Sequence, residues 1–119
     1  MVSPPDTTTM RDLLDACVDA TGGRARLRWF TPEQLAAAGA EPWTGLPVWL
    51  PPGADAEGMH RGDVSKAVAA GLAIRPLAET VADTWAWLTS IGGVAPQRPD
   101  RPVVGLPELT ERELLDSGF

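Results

Sequence analysis

The sequence predicts a small α/β or α+β domain with about five helices and two or three short strands. Several segments place apolar residues at helical spacing between capping residues and glycines. One segment alternates Arg with apolar residues, as a half-buried strand does. A length of 119 residues with 44% hydrophobic residues and five Trp suits one globular domain with a core.

The first predicted helix lies in TTMRDLLDACVDATGG, residues 8–23. Its apolar residues recur at helical spacing, Thr8 or Thr9 is placed to cap its start, and Gly22 is placed to end it in a left-handed conformation. The next segment, RARLRWF at 24–30, predicts a short strand with Leu27 and Trp29 on one face.

The middle of the chain is predicted to contain a second helix, a long loop and another short strand. TPEQLAAAG at 31–39 combines a Thr31 cap with a capping box to Gln34. Residues 40–58 are rich in Pro and Gly and predict an ordered, irregular loop. The three residues MHR at 59–61 predict a short strand.

Three further helices are predicted in the remainder of the chain. Asp63 and Gly71 are placed to begin and end a short one, and Pro76 opens the longest. The longest helix carries a stripe with Trp85 and Trp87 on its two edges. The stripe consists of Leu77, Thr80, Val81, Thr84, Leu88 and Ile91.

The last helix, LTERELLDSG at 109–118, is predicted to begin with a capping box from Thr110 to Glu113. We expect a globular domain over residues 1–95, a Pro-rich connector at 96–107, and a helix at 108–119 that packs back on the domain or on a partner.

Composition and charge exclude several classes of function. The net charge is -6, and nine Arg with one Lys form no basic stripe, so we expect no nucleic-acid partner. No run approaches the roughly 18 apolar residues of a membrane span, and the start of the chain lacks a targeting pattern. The single cysteine, Cys17, falls among apolar helix positions, which favours a reducing cytoplasm.

The sequence contains no strong motif for cofactor or metal binding. A dinucleotide fingerprint requires closely spaced glycines between a strand and a helix, and the cluster Gly53, Gly58 and Gly62 has the wrong spacing. A phosphate-binding P-loop is also lacking. One His and one Cys, far apart in the sequence, leave only scattered carboxylates for a metal, so we expect no metal site.

Several blocks in order nevertheless resemble one enzyme family. GLAIRPLAETVADTWAWL, preceded by EPWTGLPVWLPP and DVSKAVAA, resembles the C-terminal part of actinobacterial NAD-dependent epimerase/dehydratase-like proteins, a branch of the extended short-chain dehydrogenases/reductases. TTMRDLLDACVDATG and GLPELTERELLDSGF extend the resemblance over nearly the whole chain. The family's nucleotide-binding domain has no counterpart here, and the chain has no Tyr to serve as the family's catalytic proton donor.

The resemblance implies that the chain is the substrate-side lobe of such an enzyme. The family would supply NAD(P) through its other domain, and this chain alone is expected to bind no cofactor. Residues 43–51 and 60–66 match the parts expected to face substrate. The candidate substrate-binding residues are Trp43, Trp49, Arg61 and Lys66.

Each candidate also has an ordinary structural interpretation. The rigid rings of Trp43 and Trp49 suit an apolar or sugar-like ligand, yet such rings more often clamp an irregular loop onto a core. Arg61 suits an anionic group on a ligand, although a surface ion pair explains it equally well. His60 and Asp63 are weak catalytic candidates, because an Asp at this place is typical of a helix start.

Three functions follow from these residues. The first is the substrate-binding lobe of an NAD(P)-dependent epimerase/dehydratase or reductase. The second is an independent ligand-binding or regulatory module. The third is a cofactor-free isomerase or lyase that uses His60, Asp63 and Glu79. Because a lobe without its partner leaves an apolar face open, we expect a homodimer or a complex with a separately encoded nucleotide-binding domain.

Overall fold

The structure is a computed structural model and describes residues 4–117. These residues form six helices. The helices are α1 Met10–Ala20, α2 Pro32–Ala37, α3 Ala54–His60, α4 Ser65–Ala69, α5 Leu77–Ser90 and α6 Glu108–Asp116. They divide into two compact units, and the boundary between the units falls within α3. Unit 1 combines the described part of Met1–Leu27 with Gly58–Pro96, and unit 2 combines Arg28–Glu57 with the described part of Gln97–Phe119.

Helix α1 begins and ends where the sequence predicts. The Thr9 hydroxyl accepts a hydrogen bond from the backbone N–H of Asp12 at 3.2 Å, and the Asp12 carboxylate accepts one from the backbone N–H of Thr9 at 2.7 Å. This reciprocal pair is a capping box. At the other end Gly22 has a φ of 98°, and the N–H of Gly23 donates to the carbonyl of Val18 at 2.8 Å. Both ends of α1 are therefore fixed by local bonds.

Helix α5 packs against α1 and forms the main contact of unit 1. It starts after Pro76, as predicted, and ends before Gly92 and Gly93, which both have positive φ. Its Leu77, Val81 and Leu88 are half-buried. No side chain in the described part of unit 1 is fully buried.

The buried core lies in unit 2. Leu35 of α2, Ala40 and Leu114 of α6 are 8%, 4% and 3% exposed. Partly buried apolar residues surround this cluster. They are Phe30, Ala38, Leu46, Trp49 and Leu106. The predicted capping box between Thr31 and Gln34 is present at the start of α2.

The prediction of an α/β or α+β fold is wrong, because the described residues contain no β-strand. Residues 24–30 are irregular, although Leu27 is half-buried as predicted. An extended segment becomes a strand only when a second segment pairs with it, and none does so in the described chain. The second predicted strand is wrong too, since Met59 and His60 belong to α3.

The sequence missed α3 and misplaced two caps. Helix α3 follows the Pro-rich stretch directly, and its first turn carries Asp55 and Glu57, which suit the positive end of a helix. Helix α6 begins after Pro107, so Thr110 lies inside the helix and forms no capping box. Helix α4 begins after Val64 instead of Asp63.

Candidate functional site

The best-defined candidate site is the loop from Glu41 to Leu50 in unit 2, which we call the Trp loop. Its ends meet where the backbone N–H of Trp43 donates to the carbonyl of Trp49 at 3.0 Å. Inside it, the carbonyl of Glu41 accepts from the N–H groups of Gly45 at 2.9 Å and Leu46 at 3.2 Å. The loop therefore has a defined backbone without belonging to a helix or sheet.

A second segment of unit 2 braces the Trp loop. The backbone N–H of Gly105 donates to the carbonyl of Thr44 at 2.8 Å. Gly45 is buried, and a methyl group on its Cα would lie 2.8 Å from the carbonyl oxygen of Glu41 and 2.9 Å from its nitrogen. The close approach of the Gly45 backbone to Glu41, within the Trp loop itself, explains why a glycine stands at position 45.

Two non-glycine residues of the Trp loop have left-handed backbones. The φ angle is 66° at Trp43 and 68° at Val48. This region is unfavourable for L-residues because Cβ crowds the backbone, and a β-branched side chain is rarely found there. Strained conformations of this kind persist only where surrounding bonds enforce them, and they cluster at ligand-binding sites.

The two Trp side chains of the loop have different environments. Trp49 is half-buried and packs against the core of Leu35, Ala40 and Leu114, so it anchors the loop. Trp43 is 46% exposed. Of the two rings, Trp43 is the one that the fold leaves open to a ligand.

Arg61 lies in unit 1 and is engaged in an ion pair. Its guanidinium donates two hydrogen bonds to the carboxylate of Asp6, at 2.9 Å and 3.0 Å. Both side chains are exposed, so solvent screens the pair and it is weak. An anionic ligand group would have to displace Asp6 to bind Arg61. Lys66 is exposed on the neighbouring helix α4.

His60 and Asp63 do not form a catalytic pair. His60 is the last residue of α3, and no hydrogen bond joins it to Asp63 among the described residues. The Asp63 carboxylate instead accepts from the backbone N–H of Ser65 at 2.9 Å. That bond, together with one from the Ser65 side chain, lowers the pKa of Asp63, which suits a structural acceptor and not a general acid.

Glu79 takes part in an ion-pair network at the start of α5. Arg75 donates to Asp83 at 2.6 Å, and its Nε lies 3.6 Å from the carboxylate of Glu79. Arg75, which lies just before the helix, pairs with two acids on the first two turns of α5. The acids of the proposed isomerase or lyase site are thus engaged with different partners.

The sequence predicted Trp43 and Trp49 as candidate residues. It did not predict the backbone features of the loop, which are the positive φ angles and the close packing at Gly45. Gly45 could have been found from the Thr-Gly turn signal in the loop. The positive φ of Val48 could not be predicted from residue type, because Val is among the residues least suited to that conformation.

Comparison with known proteins yields no match: no family model fits the chain, and neither a curated protein nor a solved structure is significantly similar to it. Among residues 4–117 no helix is long and apolar enough to cross a membrane. The same residues include no group of three or more His, Cys, Asp or Glu side chains placed to hold a metal ion.

Proposed function

We propose that the chain is the substrate-binding lobe of an NAD(P)-dependent epimerase/dehydratase-like oxidoreductase. It binds a small apolar or sugar-like molecule at the Trp loop and performs no hydride transfer alone. The cofactor is bound by a nucleotide-binding domain on a separate chain. The complex works in the cytoplasm, where Cys17 remains reduced.

The presentation of Trp43 is the observation that carries this proposal. Trp43 belongs to a loop that is closed by backbone hydrogen bonds and anchored by Trp49. Trp43 itself is 46% exposed, and its backbone φ angle is 66°. A strained backbone of this kind is typical of ligand-binding positions, and the ring that it carries is exposed. A ligand that covers the ring supplies a reason for both features, since a rigid indole gives much contact area at little entropic cost.

The family resemblance supports the same residues by a separate route. EPWTGLPVWLPP, which includes the Trp loop, is one of the blocks that resemble the substrate-facing part of the family. The independent ligand-binding module differs from this proposal only in lacking the separate nucleotide-binding domain. The cofactor-free enzyme ranks below both, because Asp63 is bonded to Ser65 and Glu79 is paired with Arg75.

Saturation-transfer NMR with methyl β-D-glucoside and methyl β-D-galactoside tests the proposal, since it detects weak sugar binding. We expect transfer to at least one glycoside, and Trp43→Ala to abolish it. Trp87→Ala is the matched control, because Trp87 is similarly exposed at 51% but lies in unit 1. Equal transfer in Trp43→Ala and the wild type would refute the proposed site.

Calorimetry with NAD+ and NADP+ tests the second half of the proposal. The chain alone should bind neither cofactor, because the proposal assigns the cofactor to another chain. Binding of either cofactor at micromolar concentrations would refute the assignment of the cofactor to another chain, regardless of the result with the glycosides.

A further inference from the structure

Helix α5 has two apolar faces, and only one of them is covered. Leu77, Val81 and Leu88 are half-buried on the helix that packs against α1. A second row is exposed along its whole length. This row, which we call the Thr/Trp seam, consists of Thr80, Thr84, Trp87 and Ile91.

The spacing of the Thr/Trp seam is that of a helix-pairing surface. Its positions are separated by four, three and four residues, which is the spacing of the a and d positions in a coiled coil. Thr80, Thr84 and Trp87 follow one side of α5, and Ile91 comes directly after its last residue, so the row spans about 16 Å. Its two larger members are well exposed, with Trp87 at 51% and Ile91 at 44%.

We propose that the Thr/Trp seam binds the same seam of a second copy of this chain, with the two α5 helices antiparallel. A two-fold axis between Ala86 and Trp85 brings Trp87 of one copy opposite Thr84 of the other. It also brings Ile91 opposite Thr80. Each large side chain then meets a small one, as close packing requires, whereas a parallel pair would place Trp87 against Trp87.

The charges along α5 permit this pairing. No charged residue occurs from 84 to 97. The acids of the helix, Glu79 and Asp83, are both bound to Arg75, and in the antiparallel pair they come level with Gly92 and Leu88 of the second copy. Like charges therefore do not oppose each other across the axis.

The distribution of charge between the units favours self-association through unit 1. Unit 1 has seven acidic and six basic side chains, whereas unit 2 has nine acidic and four basic ones. Most of the net charge of -6 thus lies in unit 2. Two copies that meet through unit 1 avoid the strongest repulsion.

The hydrogen bonding of Thr84 permits burial at the centre of the seam. The hydroxyl of Thr84 donates to the carbonyl of Thr80 at 2.7 Å. A hydroxyl that is already bonded within its own helix can be covered without losing a partner. The seam is smaller than a standard interface of about 800 Å² per partner, so we expect a dissociation constant in the micromolar range.

Sedimentation equilibrium of the full chain over a concentration series tests the dimer. We expect a monomer–dimer equilibrium, with Thr84→Glu weakening association about 10-fold or more because it buries a charge opposite an indole. Ala86→Glu is the matched control, since it adds the same charge on the opposite, exposed side of α5 and should leave the dimer within about 2-fold of wild type.

Trp87→Ala provides an uncharged second variant and should weaken the dimer as well. A chain that stays monomeric at concentrations far above the micromolar range would refute the proposal. Equal association of Thr84→Glu and wild type would refute it too, because the dimer would then use another surface.

The Thr/Trp seam lies in unit 1 and the Trp loop in unit 2, so Thr84→Glu should retain glycoside binding and Trp43→Ala should retain the dimer. The failure of one proposal is thereby distinguished from the failure of the other.

Discussion

At the scale of single residues, the Trp loop depends on the missing side chain of Gly45. A methyl group there would lie 2.8 Å from the carbonyl oxygen of Glu41, which is backbone and cannot move aside cheaply. We expect Gly45→Ala to destabilise the protein by about 1–3 kcal/mol, as overpacking does. Urea unfolding measures this loss. Gly62→Ala is the control, because a methyl group at Gly62 meets no atom within 4 Å; equal effects of the two substitutions would contradict the crowding at Gly45.

Val48 gives the opposite prediction at the same scale. Its φ of 68° is unfavourable for Val and acceptable for Gly, and its side chain is 45% exposed. We therefore expect Val48→Gly to leave stability unchanged or to raise it by up to about 1 kcal/mol, because relief of strain offsets the greater freedom of the unfolded chain. Val103→Gly, at a still more exposed position without a positive φ, should not stabilise. A clear loss of stability in Val48→Gly would show that this backbone conformation is not strained.

At the scale of elements, α1 depends on its capping box. Removing the Thr9 hydroxyl in Thr9→Ala leaves the N–H of Asp12 without its acceptor. We expect a loss of about 1 kcal/mol, measured by thermal unfolding. Thr8→Ala is the control, because the structure assigns the cap to Thr9. Equal losses in both variants would contradict that assignment.

The same capping box makes α1 sensitive to acid. Hydrogen bonds from the Thr9 side chain and backbone lower the pKa of Asp12 below the ordinary value of an aspartate. A group whose pKa is lower in the folded state contributes stability above the unfolded pKa, and that contribution is lost as the pH falls through the folded pKa. We expect helicity, followed by circular dichroism, to fall below about pH 4 by a larger amount in the wild type than in Asp12→Asn. Identical acid profiles would contradict this role of Asp12.

The elements also show which structure could be predicted from local sequence. The cap at Thr31, the stops at Gly22 and Gly71, and the start at Pro76 agree with prediction, because each depends on residues within about one helical turn. The cap of α1 was predicted at Thr8 or Thr9, and the structure assigns it to Thr9. The strand predicted at residues 24–30 is absent from the structure. Its alternation of Arg and apolar residues is real, but a strand requires a distant partner that alternation cannot specify.

At the scale of the whole molecule, apolar surface remains in solvent. The chain exposes 9021 Å², whereas two separate globules with the masses of the two units would expose about 7,500 Å² in total. The apolar side chains of unit 1 contribute to this excess, since no described residue there is fully buried. This surface is the physical reason to expect that the chain acts together with another chain.

The candidate site shows the same limit on prediction at this scale. The sequence indicated Trp43 and Trp49 equally as ligand-binding residues. Tertiary packing distinguishes them, because Trp49 packs against the core and Trp43 remains exposed. The sequence also indicated that Arg61 binds an anionic group of a ligand. In the structure the anionic partner of Arg61 is the carboxylate of Asp6, which lies 55 residues away in sequence. Residue type therefore predicted the chemistry available, but not which groups the fold leaves open.

The central claim is that Trp43, and not another indole, binds the ligand. A ¹⁵N–¹H correlation spectrum gives one indole cross-peak for each of the five Trp residues, and the cross-peak lost in Trp43→Ala identifies Trp43. During titration with methyl β-D-glucoside or methyl β-D-galactoside, we expect the Trp43 cross-peak to shift most, with little change at Trp85 and Trp87. Shifts confined to Trp85 or Trp87, or no shift in any indole, would contradict the proposed function.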